Sequence, residues 1–196
     1  MIILDIEATG INAAKHSILS LGAIDFDRPE RRFYRECRMW DGAHIMAEAL
    51  AVNGFSDAEA KDLSKLSEAE LITEFMEWTQ EFNDRTLVGQ NVSFDRSFVM
   101  SACERAGIAC DLPYRTLDTH TMCYMHMVKA GIAPEMDKEH RRSNINLNTV
   151  LRYCGIPSEP TPHNALTGAM CHGEVVSRLL YNRALLPEFS QYPLPW

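Results

Sequence analysis

No run of the chain approaches the ~20 consecutive apolar residues that a membrane-spanning helix needs, which argues against a membrane protein. The N-terminus lacks the basic stretch of a secretory signal and passes directly into Asp5 and Glu7, so no export signal is expected. Cys37, Cys103, Cys110, Cys123, Cys154 and Cys171 contain neither a CxxC pair nor a zinc-finger spacing, and they read as buried thiols in a reducing compartment. A cytoplasmic protein is the expectation. Basic residues are outnumbered: 19 Lys and Arg stand against 27 Asp and Glu, a formal net charge of −8. That balance excludes a generally basic surface for coating nucleic acid. It leaves room for a nucleic-acid enzyme, because a site built from several carboxylates is acidic by necessity and lets metal ions meet the phosphates. There is no internal repeat, and no helicase, polymerase or clamp-binding segment is visible.

The 196 residues suffice for one well-buried domain and are few for two, so residues 1–196 are expected to form a single domain, with a core over 1–185 and a proline-rich strap over 186–196. The apolar fraction of 46% and the charged fraction of 23% are ordinary for a globular protein and name no function.

What the chain does contain begins at its first residues. Ile2, Ile3, Leu4 and Ile6 give the opening strand apolar character on both faces, as in a central strand covered by helices, and Gly10 closes it. Asp5 and Glu7 stand two positions apart, so their carboxylates project from one face with Cα atoms about 6.5–7 Å apart. Two like charges on so apolar a strand raise each other's pKa or stay poorly solvated unless a cation sits between them. The competing interpretation is an edge strand with a wet acidic face.

After a turn through Asn12–Lys15, alternation over Ser17–Phe26 predicts a second strand. Asp27–Glu30 is a turn signal, and Arg32–Arg38 a third strand whose arginines mark a solvated edge. Helices are predicted over Met46–Val52 and Glu68–Phe82, the latter with Leu71, Ile72, Phe75, Trp78 and Phe82 on one side. Thr86–Gln90 reads as a buried strand, Phe94–Ala106 as a helix stopped by Gly107, Thr116–Asp118 as a last strand and Thr119–Lys129 as a helix that Asp118 caps. Residues Gly131–Ser143 lack an apolar period and read as an exposed, mobile loop ending beside Arg141 and Arg142. Helices return over Leu147–Cys154 and from Ala165 to Asn182, separated by a turn over Pro157–Pro162. A hairpin followed by alternating helices and strands implies a mixed sheet with helices on both faces, an α/β fold.

Three motifs stand in order along this frame. Asp5, Glu7, Thr9 and Gly10 match D-x-E-x-T-G. Asn91, Phe94 and Asp95 match N-x-x-F-D, and His163 and Ala165 match the start of H-x-A-x-x-D. Together they resemble the DEDDh, or DnaQ-like, family of 3′–5′ exonucleases of the ribonuclease H-like superfamily, over nearly the whole chain. The resemblance implies a ribonuclease H-like mixed sheet of five strands. It implies hydrolysis of single-stranded DNA or RNA from the 3′ end to nucleoside 5′-monophosphates, with two divalent cations, Mg²⁺ or Mn²⁺, about 3.5–4 Å apart. By the family pattern Asp5 bridges both ions, Glu7 holds the water-activating one, Asp95 serves the other, and His163 is the general base. Thr9, Gly10, Ile11, Asn91 and Phe94 would attend the terminal nucleotide, with Ile11 offering a surface to a base. Phe94 also reads as a core residue that steadies the turn carrying Asp95.

The pattern breaks at Gly168, where the last carboxylate is expected. Three consequences follow from the break: a protein that binds nucleic-acid ends or a partner without hydrolysis, an enzyme with a looser metal and a water in the gap, or one with a relocated ligand. For the last, His172 lies one turn beyond Gly168 on the same helix face and leans back toward it, and as a ligand it would favour Mn²⁺ over Mg²⁺. Glu174 falls on another face. A hydrolase of small phosphate esters on the same fold is a third functional class.

Overall fold

The three strand stretches of the first forty residues become an antiparallel ladder. In the computed structural model, which describes residues 1–196, β1 (Ile2–Ala8) pairs with β2 (Ile18–Asp25), and β2 pairs with β3 (Arg32–Arg38). The chain then forms α1 (Ala47–Asn53), α2 (Asp57–Ala60), β4 (Leu66–Ser67), α3 (Glu68–Thr79), β5 (Leu87–Gly89) and α4 (Ser93–Ala106). Next come β6 (Thr116–Asp118), α5 (Thr119–Lys129), β7 (Met136–Asp137), β8 (Arg142–Ser143), α6 (Leu147–Tyr153) and α7 (Ala165–Tyr181). Across the main sheet the order is β4, β3, β2, β1, β5, β6, with β5 and β6 parallel to β1. No helix is long and apolar enough to cross a membrane.

The sheet has six strands rather than the expected five, because Leu66 and Ser67 pair in parallel with Cys37 and Arg38. A two-residue strand has no periodicity of its own; its pairing is imposed by the packing of α3, whose start is fixed by a reciprocal cap between Ser67 and Glu70. Residues 131–143 likewise depart from the expected loop. β7 and β8 form a short antiparallel hairpin, and the Asp137 carboxylate accepts hydrogen bonds from the backbone N–H groups of Glu139 and His140 at 3.1 and 3.0 Å. Of its four paired residues only Met136 is apolar, so it carries no apolar alternation.

Both faces of β1 are covered. Ile2, Leu4 and Ile6 pack with Leu71, Ile72 and Phe75 of α3 and with Phe98, Val99 and Ala102 of α4. Each such fully buried side chain stabilises by about 1.5–3 kcal/mol. On the opposite face Ile3 packs with Val88 and with Val176 of α7. Asp5 and Glu7 share that second face with Ile3, so the period-2 geometry aims both carboxylates at the N-terminal half of α7.

Two glycines let α7 lie this close. A Cβ on Gly22, the β2 partner of Asp5, would overlap the backbone of Ala165 and Leu166, and a Cβ on Gly168 would overlap the Asp5 carboxylate. The tail is drawn over the outer end of α7 by Arg178, whose side chain is fully buried. Its guanidinium pairs with Glu174 at 2.6 Å and donates to the carbonyls of Cys154, Phe189, Tyr192 and Pro193.

Candidate active site

The site starts where β5 ends. β5 pairs with β1 only at Ile2 and Ile3, and after Gly89 the chain turns away through Asn91 in a left-handed backbone conformation (φ 54°). The N–H of Ile6 thereby loses a strand partner and donates instead to Asp95 Oδ1 at 3.1 Å, which draws the first turn of α4 onto β1. Asp95 is buried, and the bond fixes its carboxylate beside the strand that carries Asp5 and Glu7.

His163 arrives from the other side. Its N–H donates to Val52 O in α1 at 3.1 Å, while Asn53 Nδ2 donates to Ala8 O at the end of β1. Asn164 caps α7, its Oδ1 accepting from the N–H groups of Leu166 and Thr167, and its Nδ2 donates to the Tyr34 hydroxyl at 3.0 Å. The His163 side chain retains 35% exposure and adjoins a cavity of about 200 Å³ shared with Ser20, Tyr34, Asn53 and Pro162. Glu159, four residues earlier in the turn between α6 and α7, brings a carboxylate to the same place. The ligand atoms of Glu7, Glu159 and His163 all lie within 4.8 Å of one another.

Electrostatics make the cluster costly in the absence of a cation. Burial, then the Asp95, Glu7 and Glu159 charges, push the Asp5 carboxyl well above the usual carboxylate range. Burial and then Glu159 push Glu7 up to about 8. Burial is also the main cause for Asp95, which rises to about 8 although the Ile6 N–H pulls it down, with Glu7 and Asp118 adding to the rise. Glu159 is raised by burial, against the opposing pull of His163 and the Asn164 N–H. No lysine or arginine forms an ion pair with Asp5, Glu7, Asp95 or Glu159; the one basic group beside them is His163, 3.8 Å from Glu159. Converging carboxylates without a protein counter-charge are the donor set that Mg²⁺ or Mn²⁺ takes, and the residues present therefore fit a hard divalent cation.

The remaining sequence candidates divide. Ile11 is 72% exposed and presents its side chain to solvent. Thr9 is inaccessible; its hydroxyl accepts from the Ser17 N–H at 2.9 Å, so it holds the β1–β2 turn rather than offering a group to a ligand. Gly10 is covered by the His16 ring, which a Cβ at that position would overlap. Phe94 packs on Phe98, ring centroids 4.9 Å apart, in keeping with a supporting role for the Asp95 turn. Asn91 is exposed and lines a cavity of about 650 Å³ with Gln90, Asp118, His120, Arg142 and Asn146. That cavity holds none of the four clustered carboxylates; it lies beyond the ends of β5 and β6. Asp118 caps α5 through the His120 N–H at 2.8 Å, as its position predicts.

His172 does not enter the space beside Gly168. Its ring lies beneath β1 and β5, with Nδ1 3.3 Å from Leu4 O and close under Gly89. The space at Gly168 is taken by Asp5 itself. Glu174 is engaged with Arg178 and with the N–H groups of Leu185 and Leu186. The residue that sequence reasoning missed is Glu159. A proline-rich turn gives no sign that one of its side chains is buried, and the available signal was indirect: an acidic residue four positions before His163 in a chain whose motif is one carboxylate short.

The exonuclease family model (RNase_T) matches residues 2–175. Ribonuclease T of Escherichia coli (strain K12) is 29% identical over 133 residues, which cover 60% of this chain and 61% of that protein. The chain thus aligns with less than two thirds of this curated relative. E. coli Exonuclease I in complex with a dA16 oligonucleotide superposes with a TM-score of 0.71 at 17% identity, over 93% of this chain and 40% of the other. The nuclease domain of 3′hExo, described as a DEDDh family member bound to rAMP, gives a TM-score of 0.67 at 13% identity over 94% and 93%. At such identities the two structures speak for the fold.

Proposed function

The chain belongs to the exonuclease family, and from that premise we propose that residues 1–196 act as one unit, a divalent-metal-dependent 3′–5′ exonuclease that shortens single-stranded DNA or RNA to nucleoside 5′-monophosphates. The observation that carries this reading is the crowding of buried carboxylates at one end of β1: Asp5 feels the charges of Asp95, Glu7 and Glu159, Asp95 is tied to β1 by the Ile6 N–H, and Glu7 and Glu159 stand within 4.8 Å of His163. Such a donor set suits the two Mg²⁺ or Mn²⁺ ions of the family mechanism, with Asp5, Glu7 and Asp95 as the residues that would hold them. When bound, the cations supply charge neutralisation at the phosphate and help to the leaving oxygen.

The chain's own residues do the rest. His163 is partly exposed at the edge of the cluster, where its imidazole takes the proton of the attacking water. The hydrogen bond from Ile6 N–H keeps Asp95 from swinging away from β1. Ile11 offers a terminal base an apolar surface, and the Asn91 side chain faces the cavity along which the preceding nucleotides are accommodated. Six free thiols, five of them buried, suit a reducing compartment, and we place the protein in the cytoplasm.

The test is incubation of 5′-labelled single-stranded DNA and RNA oligomers with the protein in Mg²⁺ and in Mn²⁺, with Asp5→Asn and His163→Ala alongside. A ladder shortening stepwise from the 3′ end, lost in both variants, is the expected result. Oligomer binding without a ladder would replace the enzyme with a binding-only relative, the reading that Gly168 favours. Turnover of mononucleotides with intact oligomers would replace it with a small-ester hydrolase.

A further inference from the structure

Resting on the exonuclease reading, we propose that Glu159 is a metal-binding residue of this site: it supplies the fourth carboxylate, brought in from the turn between α6 and α7 in place of one projected from α7 at position 168. Glutamate in a proline-rich turn belongs in water, yet the Glu159 side chain keeps only 3% of its exposure. Burial of a carboxylate is compensated in folded proteins by hydrogen bonds, by a cationic partner or by a metal. Glu159 has little of the first two. Its Oε1 has no hydrogen-bond partner, its Oε2 lies 3.8 Å from His163 Nδ1, and the pull of that ring and of the Asn164 N–H leaves the carboxyl raised by burial all the same.

Its position fits the third. One oxygen of Glu159, one of Glu7 and a ring nitrogen of His163 lie within 4.8 Å of one another. Ligands on opposite sides of a Mg²⁺ ion with bonds of about 2.0–2.1 Å stand about 4 Å apart, so a small contraction would bring Glu7 and Glu159 onto one ion. The Cys171 thiol, one turn beyond Gly168, is pushed up by burial and then by the charges of Glu159 and Asp5, so both carboxylates act on the same stretch of α7.

The glycine and the glutamate explain each other. At position 168 a Cβ would overlap Asp5 Oδ2, so the present placement of Asp5 and a side chain at 168 exclude each other. A carboxylate that enters from the adjoining turn avoids the conflict and keeps the number of clustered carboxylates at four: Asp5, Glu7, Asp95 and Glu159.

A competing role for Glu159 is to orient His163 through Nδ1. Titration of the full chain with Mn²⁺ alone, followed by the Mn²⁺ spin-resonance signal and by calorimetry without nucleic acid, separates the two. Glu159→Gln preserves an acceptor for the imidazole but removes the charge, and it is expected to weaken Mn²⁺ binding by about tenfold or more, at least the loss seen when groups supporting a ligand are removed. His163→Ala is expected to leave Mn²⁺ bound. Glu159→Asp, which retains the charge on a shorter arm, is expected to fall between wild type and Gln, and it serves if the Gln variant fails to give the native circular dichroism. Mn²⁺ binding at wild-type affinity in a folded Gln or Asp variant would overturn the proposal, as would a wild-type chain that binds no Mn²⁺. The exonuclease reading fails separately, when the wild type holds Mn²⁺ at a Glu159-dependent site and yet shortens no oligomer.

Discussion

Asp5 and Gly168 share one space: the Asp5 carboxylate rests against the backbone of α7 where a side chain at position 168 would begin. Substitution of Gly168 by alanine therefore has two opposed effects. Alanine in a helix interior is favoured over glycine by about 0.8–1 kcal/mol, but its methyl group would displace Asp5. The expected outcome for Gly168→Ala is no gain in thermal stability and a fall of about tenfold or more in the rate of 3′ shortening, equivalent to about 1.4 kcal/mol of transition-state stabilisation. Gly168→Asp, which restores the family's motif, is expected to lower the rate too. Initial rates on a labelled oligomer decide the matter, and an undiminished rate in the alanine variant would show that Asp5 tolerates the displacement.

The carboxylate cluster gives the cation-free protein an unusual dependence on pH. In unfolded chains Glu and Asp titrate near ~4.3 and ~3.9, whereas burial holds both Glu7 and Asp95 near about 8 in the folded protein. Between those limits the native state binds more protons than the unfolded one. The contribution of these groups is therefore fully present in acid and is lost as the pH rises toward about 8. Divalent cations bind only the ionised ligands and stabilise the state that holds them. Thermal unfolding in chelator and in Mn²⁺ is expected to show a larger cation-induced rise in Tm at pH 8 than at pH 6. Equal rises would mean that these carboxylates are already ionised at the lower pH.

The parts of the fold and site that could be read from the sequence are those set by local rules. An apolar run closed by Gly10 located β1, alternation located β2, the turn signal after it located β3, the Asp118 cap located the start of α5, and the carboxylates at positions 5 and 7 announced an acidic face because period-2 geometry puts them on one side. What escaped depends on tertiary context. β4 and the β7–β8 hairpin are too short to carry a period. His172 has suitable spacing to reach toward Gly168, yet its ring is turned beneath Gly89 by the packing of α7 on β1. Glu159 owes its burial to the closure of a turn over α7, which no pattern in residues 157–162 encodes.

His172 supplies a second, opposite pH effect. Burial keeps its imidazole from accepting a proton until about pH 4, and Nε2 is buried without a partner. An unfolded histidine titrates near ~6.5, so as the pH falls from there the unfolded state gains a proton that the folded state refuses, and stability drops. His172→Leu removes this penalty. Relative to wild type, the variant is expected to gain about 1–2 kcal/mol between pH 7 and pH 5 in urea unfolding, whatever it loses at pH 7 with the contact to Leu4 O. A stability difference that stays constant over that interval would show that the imidazole is protonated in place.

Arg178 and Glu174 are the most deeply buried ion pair in the molecule, and the pair does its work through its remaining hydrogen bonds. The guanidinium takes the carbonyls of Cys154 at the end of α6 and of Phe189, Tyr192 and Pro193 in the tail, while Glu174 Oε2 accepts from the N–H groups of Leu185 and Leu186 at 2.9 and 3.0 Å. Arg178→Met fills similar volume but strands a buried carboxylate and four carbonyls, a change expected to cost about 3–5 kcal/mol. Replacing both partners, as Glu174→Leu with Arg178→Met, removes the uncompensated charge and should recover part of that loss. Limited proteolysis is the sensitive readout, because the tail beyond Leu186 is held by these bonds and by the packing of Trp196 on His126 and Tyr153. The single variant should be cut within residues 186–196 under conditions that leave the wild type intact. A tail that resists cleavage in Arg178→Met, with unfolding free energy within about 1 kcal/mol of wild type, would mean that apolar packing alone secures the strap.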